Sequence, residues 1–397
     1  MVASSVLQPA VCTAPGRMGG QEHGSSRNPM HLLSKAEATR FVAERRALFD
    51  GAGRANPFAC SAWVLHFIEH VAEDGWTFVV PECRGAGDSV MLLYSDKKAP
   101  HRWSAATNYY ASLYSPLISS LDSGPERSAA LGELVDQLAG AVPRCAAITF
   151  APLDRQSADT AALRDRFCRR GWYVRQYACF GNWHLPCAGL AFDEYMRSRD
   201  SKLYHTWTRK AKKFTDAQAA RVEIITEPGD TQAAVDAYER VYARSWKKPE
   251  PYPDFVRDWA AICARNGWLR MGVAWAGDVP IAAQFWFTMN RRAYIFKLAY
   301  DEDYAKWSAG TVLSAHLFRH ALDEDRVVEI DYLSGDDAYK QSWMTERRER
   351  VGLIACNPRT PRGLMISAAE FAGEMRGQWR LRAGAPPIPA PVASTLR

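Results

Sequence analysis

The chain has 397 residues, 47% of them hydrophobic and 24% charged, with 50 basic against 44 acidic residues for a net charge of +6. That balance excludes a fibrous or wholly disordered chain, and the excess of positive charge is too small to indicate a nucleic-acid binder by itself. At about 100–200 residues per domain, the length fits two to three domains.

The first 30 residues are rich in Gly, Ser, Pro and Ala without periodicity and read as a disordered leader; 381–397 read as a Pro/Ala-rich tail. Helical spacing follows at 35–48 and 62–72, then an apolar run at 76–81, a Gly turn at 84–88 and a second run at 89–94, a strand–turn–strand unit. A helix near 129–139, a strand at 146–150, a helix at 160–170 and strand material at 172–179 complete this half. The second half runs in similar order, with helices at 231–245 and 255–266 and strands at 268–275, 281–289 and 292–300. A helix at 309–322, a strand at 327–333 and a helix at 337–348 close it. Residues 76–80 match 268–272 at an offset of 192, and 148–154 match 330–336 at an offset of 182. Two copies of one α/β unit are expected, each a mixed sheet with helices on both faces.

The nine cysteines are scattered, odd in number and without C-x-x-C, which points to a reducing, cytoplasmic setting rather than a disulfide framework or zinc ribbon. Neither a signal peptide nor a membrane-spanning run is evident. His66/His70 and His316/His320 are each spaced i, i+4, but no third ligand accompanies them, so no metal is expected.

Several ordered motifs carry a resemblance. They are Phe192-Asp-Glu-Tyr-Met-Arg, Arg209-Lys-Ala-Lys-Lys, Ser245-Trp-Lys, Gly277-Asp-Val-Pro-Ile, Tyr300-Asp with Tyr304, Ser308-Ala-Gly-Thr-Val-Leu and the run from Asp331 to Trp343. Together they resemble the GNAT acyltransferase superfamily, in its CelD/BcsL-like branch associated with cellulose and exopolysaccharide biosynthesis. The branch is similar to the Fem-type aminoacyl transferases in having two tandem GNAT-like halves. The resemblance implies an α/β fold of two such domains, at 31–190 and 191–380, each a twisted mixed sheet flanked by helices.

It also implies a donor site where a helix N-terminus cradles a pyrophosphate, because the first N–H groups there lack partners and sit at the positive dipole end. Tyr300, Lys306, Ser308, Ala309, Gly310 and Thr311 are its candidates, although Ala309 and Thr311 stand where the superfamily's loop has glycines. Acetyl-CoA or another acyl-CoA would be the co-substrate, with no permanently bound cofactor. Transfer needs a base for the acceptor and an acid for the leaving thiolate. Position in the family pattern makes Tyr339 the acid, Asp331 or Asp336 the base and Lys340 an anion-stabilising neighbour; Asp336 equally suits a helix N-cap. Trp246, Lys247, Gln284 and Trp343 are the candidate acceptor-site residues. The acceptor would be a sugar, lipid or amino-acid-like molecule. The basic, aromatic-interleaved segment 197–213 keeps an aminoacyl-tRNA donor open as a rival, although no DNA partner is expected. A non-catalytic subunit of a polysaccharide-synthesis complex is the rival from another class. Oligomeric state is left open.

Overall fold

The computed structural model describes residues 30–84, 88–119, 124–141, 144–216 and 220–382. The leader at 1–29, most of the Gly turn and the tail beyond 382 lie outside the described residues. Helix starts follow local chemistry. Ser34 and Glu37 form a reciprocal capping box at Lys35–Glu44, and Ser157 caps Ala158–Arg169. Proline occupies the first turn of Pro228–Ala243, where its missing N–H leaves no intrahelical bond unmade.

The first half supplies β1 (Met30–Leu33), β2 (Trp76–Cys83), β3 (Ser89–Val90), β4 (Leu93–Asp96), β5 (Arg102–Ala105), β6 (Leu117–Ile118), β7 (Ala147–Asp154) and β8 (Tyr173–Pro186). The second half supplies β9 (Ala220–Ile225), β10 (Leu269–Ala276), β11 (Val279–Met289), β12 (Arg292–Tyr300), β13 (Glu329–Asp331) and β14 (Glu346–Cys356). They join one mixed sheet in the order β6-β3-β2-β4-β5-β7-β14-β8-β13-β12-β11-β10-β9, with β1 pairing β2.

The two halves repeat one pattern. In the first, β2, β4 and β5 are antiparallel neighbours and β7 joins β5 in parallel. In the second, β10, β11 and β12 are antiparallel neighbours and β13 joins β12 in parallel. The sequence matches at offsets 192 and 182 therefore fall on equivalent strands. The halves also exchange their last strands. β14 pairs with β7, β8 pairs with β13, and β8 and β14 pair with each other. One hydrophobic core mixes both halves, with Trp63 edge-on to Trp259 at 4.8 Å.

Two segments depart from expectation. The helix expected over 337–348 stops at Trp343, and the charged run that follows is strand β14. The half-buried Arg348 and the buried Arg350 are accommodated because each has partners. Arg350 reaches Asp154 at 2.6 Å and Asn182 at 3.0 Å; Arg348 reaches Asp331 at 2.6 Å and Glu329 at 3.0 Å. Second, the stretch expected as one strand over 89–94 is two short strands, β3 and β4, pairing different lengths of β2.

Helix Ala309–Arg319 lies against β10 and β11 at a glycine. A Cβ on Gly272 would stand 2.8 Å from Leu313 and 2.9 Å from Leu317. Gly272→Val overpacks this seam, with an expected loss of about 1–3 kcal/mol in denaturant unfolding.

Candidate active site

Strands β12 and β13 run side by side only from Arg292 to Tyr294 on β12 and from Glu329 to Asp331 on β13. Past that point they part. β12 also bulges, since Phe285 faces Lys297 while Trp286 faces Ile295, leaving Phe296 extra. A bulge disrupts the ladder and re-aims the side chains around it. A cavity of about 180 Å³ opens in the gap. Its walls are the β12 residues 295–298, the residues 332–334 with Asp337, Tyr339 and Lys340, Lys247, and Tyr109 and Tyr110 from the first half.

Three lysines line it. Lys297 is 7% exposed and holds Glu250 at 2.7 and 2.9 Å, with its ammonium 4.4 Å from the centre of the Tyr110 ring. The Tyr110 hydroxyl donates to the same carboxylate at 2.8 Å, and burial, then the Glu250 charge, hold that phenol well above its usual range. Lys340 is buried and donates to the Ser334 carbonyl at 2.6 Å, with Asp337 at 3.2 Å. Lys247 differs, because among the described residues no carboxylate lies within ion-pair distance of it. Burial pushes its ammonium down to about 8, and the charges of Lys297 and Lys340 push the same way against Glu250 and Asp337.

Tyr339 stands at the mouth, 46% exposed, edge-on to the buried Tyr332 ring at 5.8 Å. Burial, then the nearby Asp337 charge, raise its phenol, so it keeps its proton at neutral pH.

The expected donor site adjoins the cavity. The Trp246 ring lies 4.7 Å from that of Tyr300, and a Cβ on Gly310 would meet the Tyr300 ring at 3.6 Å. Ser308 is left-handed (φ 54°), ending the short turn Glu302–Trp307 and opening helix Ala309–Arg319. It makes no side-chain cap bond; its carbonyl instead accepts from the N–H groups of Thr311 at 2.9 Å and Val312 at 3.1 Å. Ala309 is buried in the first turn. The Lys306 carbonyl accepts from Lys210 at 2.7 Å, which brings the basic helix Ser201–Asp216 to this loop.

Four sequence candidates sit elsewhere. Asp331 is buried and accepts from Asn182 at 2.5 Å, the Leu333 N–H at 2.6 Å and Arg348 at 2.6 Å, so it ties β8, β13 and β14 together. Asp336 accepts from Trp183 at 2.8 Å and Arg347 at 2.6 Å, away from the cavity wall. Gln284 donates to the Gly310 carbonyl at 3.1 Å and to Ser314 at 2.7 Å, fastening the helix to β11. Trp343 is a core residue stacked on Phe318 at 4.8 Å. His66 donates from Nε2 to the Phe255 carbonyl at 2.9 Å and lies ring to ring with His70 at 4.4 Å; among the described residues no group of three potential metal ligands forms.

Sequence reasoning passed over Lys297, Glu250, Tyr109 and Asp337 as site residues. A signal existed for Lys297, a lone charge in the apolar strand Tyr294-Ile-Phe-Lys-Leu-Ala-Tyr300. Its partner Glu250 is separated from it by 47 residues, and no local pattern links the two.

Residues 201–341 match the family model of the acetyltransferase (GNAT) domain. Over these residues the chain is similar to an acetyltransferase (GNAT) domain. Among solved structures it is similar in fold to FemX, at 11% identity over 85% of this chain and all of that one, with a TM-score of 0.56. It is also similar to a conserved protein of unknown function from Bacteroides thetaiotaomicron, at 11% identity over 80% of this chain and 97% of that one, with a TM-score of 0.53. No curated protein matches the chain.

Proposed function

We propose that this protein is an acyl-CoA-dependent N- or O-acyltransferase, with acetyl as the simplest acyl group. Its acceptor would be an amine or hydroxyl on a sugar, lipid or amino-acid-like molecule. The motif resemblance suggests polysaccharide or cell-envelope biosynthesis as the setting. The observation that carries the reading is the parting of β12 and β13 beside a lysine-lined cavity, next to the opening turn of helix Ala309–Arg319.

In this reading the helix end holds the pyrophosphate, and backbone N–H groups of β12 freed by the divergence polarise the thioester carbonyl. Neutral Lys247 takes the acceptor's proton as the acceptor attacks. The new C–N or C–O bond forms, the C–S bond breaks, and Tyr339 gives its proton to the departing thiolate. Lys340 and Asp337 hold the turn that presents Tyr339.

A second reading, with an aminoacyl-tRNA donor, is favoured by the basic helix Ser201–Asp216 lying against the donor loop. One experiment separates the two. Saturating acetyl-CoA is expected to raise the melting temperature, because a ligand of the folded state stabilises it by mass action. Gly310→Trp, which fills the space beside Tyr300, is expected to abolish that shift while leaving the unliganded melting temperature in place. Absence of a shift with every acyl-CoA, together with salt-sensitive binding of charged tRNA, would replace the first reading by the second.

A further inference from the structure

Large apolar side chains exposed on the described surface fall mainly in two places. Tyr109, Trp246 and Tyr339 surround the candidate active site. Leu364, Met365, Phe371 and Met375 all lie on helix Pro361–Arg382, at 57, 65, 56 and 50% exposure.

This helix is amphipathic in the inverted sense. At 3.6 residues per turn, Leu364, Met365, Ala368, Ala369, Phe371, Ala372 and Met375 share its outer side. Its two carboxylates turn toward the sheet. Glu370 is ion-paired with Arg175, and Glu374 accepts from the Tyr173 hydroxyl at 3.4 Å. Gly363 and Ser367 are buried, and the Ser367 hydroxyl donates to the Gly363 carbonyl at 2.8 Å, so the polar groups of the inner side are satisfied there. The outer side keeps an apolar strip edged by the exposed Arg362 and Arg376. From residue 375 to 397 the sequence holds four arginines and no acidic residue.

We propose that this face docks on an anionic membrane surface, with the apolar strip in the headgroup–acyl boundary and the arginines on lipid phosphates. An apolar strip bordered by cations, with the acids withdrawn, is the pattern that interfacial helices use. A second copy of the chain is the poorer fit. A two-fold contact would set the same face against itself, and the arginines would meet no carboxylate there. The inference does not depend on the acyl donor or acceptor.

The test is co-sedimentation of the full chain with phosphatidylcholine vesicles, with and without phosphatidylglycerol. Binding is expected only with the anionic lipid, weakening as salt rises. Leu364→Glu with Phe371→Glu places two charges on exposed positions and is expected to lower bound protein by about tenfold or more, with the melting temperature unchanged. Arg362→Ala with Arg376→Ala is expected to lower it more modestly and to flatten the salt dependence. Failure to bind phosphatidylglycerol vesicles overturns the proposal. So does concentration-dependent dimerisation that the double glutamate variant abolishes, which would give the face to a second copy.

Discussion

Lys247→Met is expected to lower the transfer rate by about 10²–10⁴-fold, the range for loss of a positioned general base. The measurement is free-thiol release from acetyl-CoA in the presence of an accepted amine or alcohol. The pH profile carries the sharper information. A base held near 8 is protonated and inactive below that value, so the wild-type rate should climb through about pH 8 and level off above it. In the methionine variant that limb should vanish, leaving a low, flatter rate. Tyr339→Phe should slow the reaction without moving the limb, because the phenol stays protonated throughout this range. A wild-type rate that falls through pH 8 would mean that Lys247 works as a cation, and the assignment of the base would be wrong.

Glu250→Gln is expected to destabilise the fold by about 3–5 kcal/mol, because it strands the Lys297 ammonium in a buried site without its counter-charge. Equilibrium unfolding in denaturant would read the loss. Lys297→Met together with Glu250→Gln should restore most of it, since a methionine fills the lysine's volume and neither member of the pair then carries a charge. The pair has a second task. Tyr110 from the first half and Lys297 from the second both hold Glu250, so one carboxylate pins the cavity walls of both halves. The double variant should therefore be stable yet impaired in transfer, and a fully active double variant would confine the pair to a structural role.

How far the chain could be read in advance depended on how local each signal was. The apolar strands β2, β7, β10, β11 and β12 were legible because period-two and continuous apolar runs are local. So was the duplication, through its two offset matches. Strand β14 was not. Its Glu-Arg-Arg-Glu-Arg opening resembles a solvated helix, and only Asp154, Asn182, Glu329 and Asp331, brought in from three other strands, make arginine tolerable there. The same network surrounds Asp331 with partners that no local pattern shows. A carboxylate at a strand end beside a cleft suits a base, and here Arg348 and Asn182 also bond to it. Tyr339, Lys340 and Lys247 were reachable from motif position, whereas Glu250 needed the fold.

The exchange of β8 and β14 has a consequence for how the molecule comes into being. β7 ends at Asp154, but its neighbour on the edge away from β5 begins only at Glu346. A ribosome must therefore release nearly the whole polypeptide before the first half can finish its own sheet. Until then β7 has an open edge that invites pairing with other chains. Such distant partners make closure of the sheet slow. The halves repeat one strand pattern, but they mature together, and cutting the chain between them should yield two fragments that fold only when mixed.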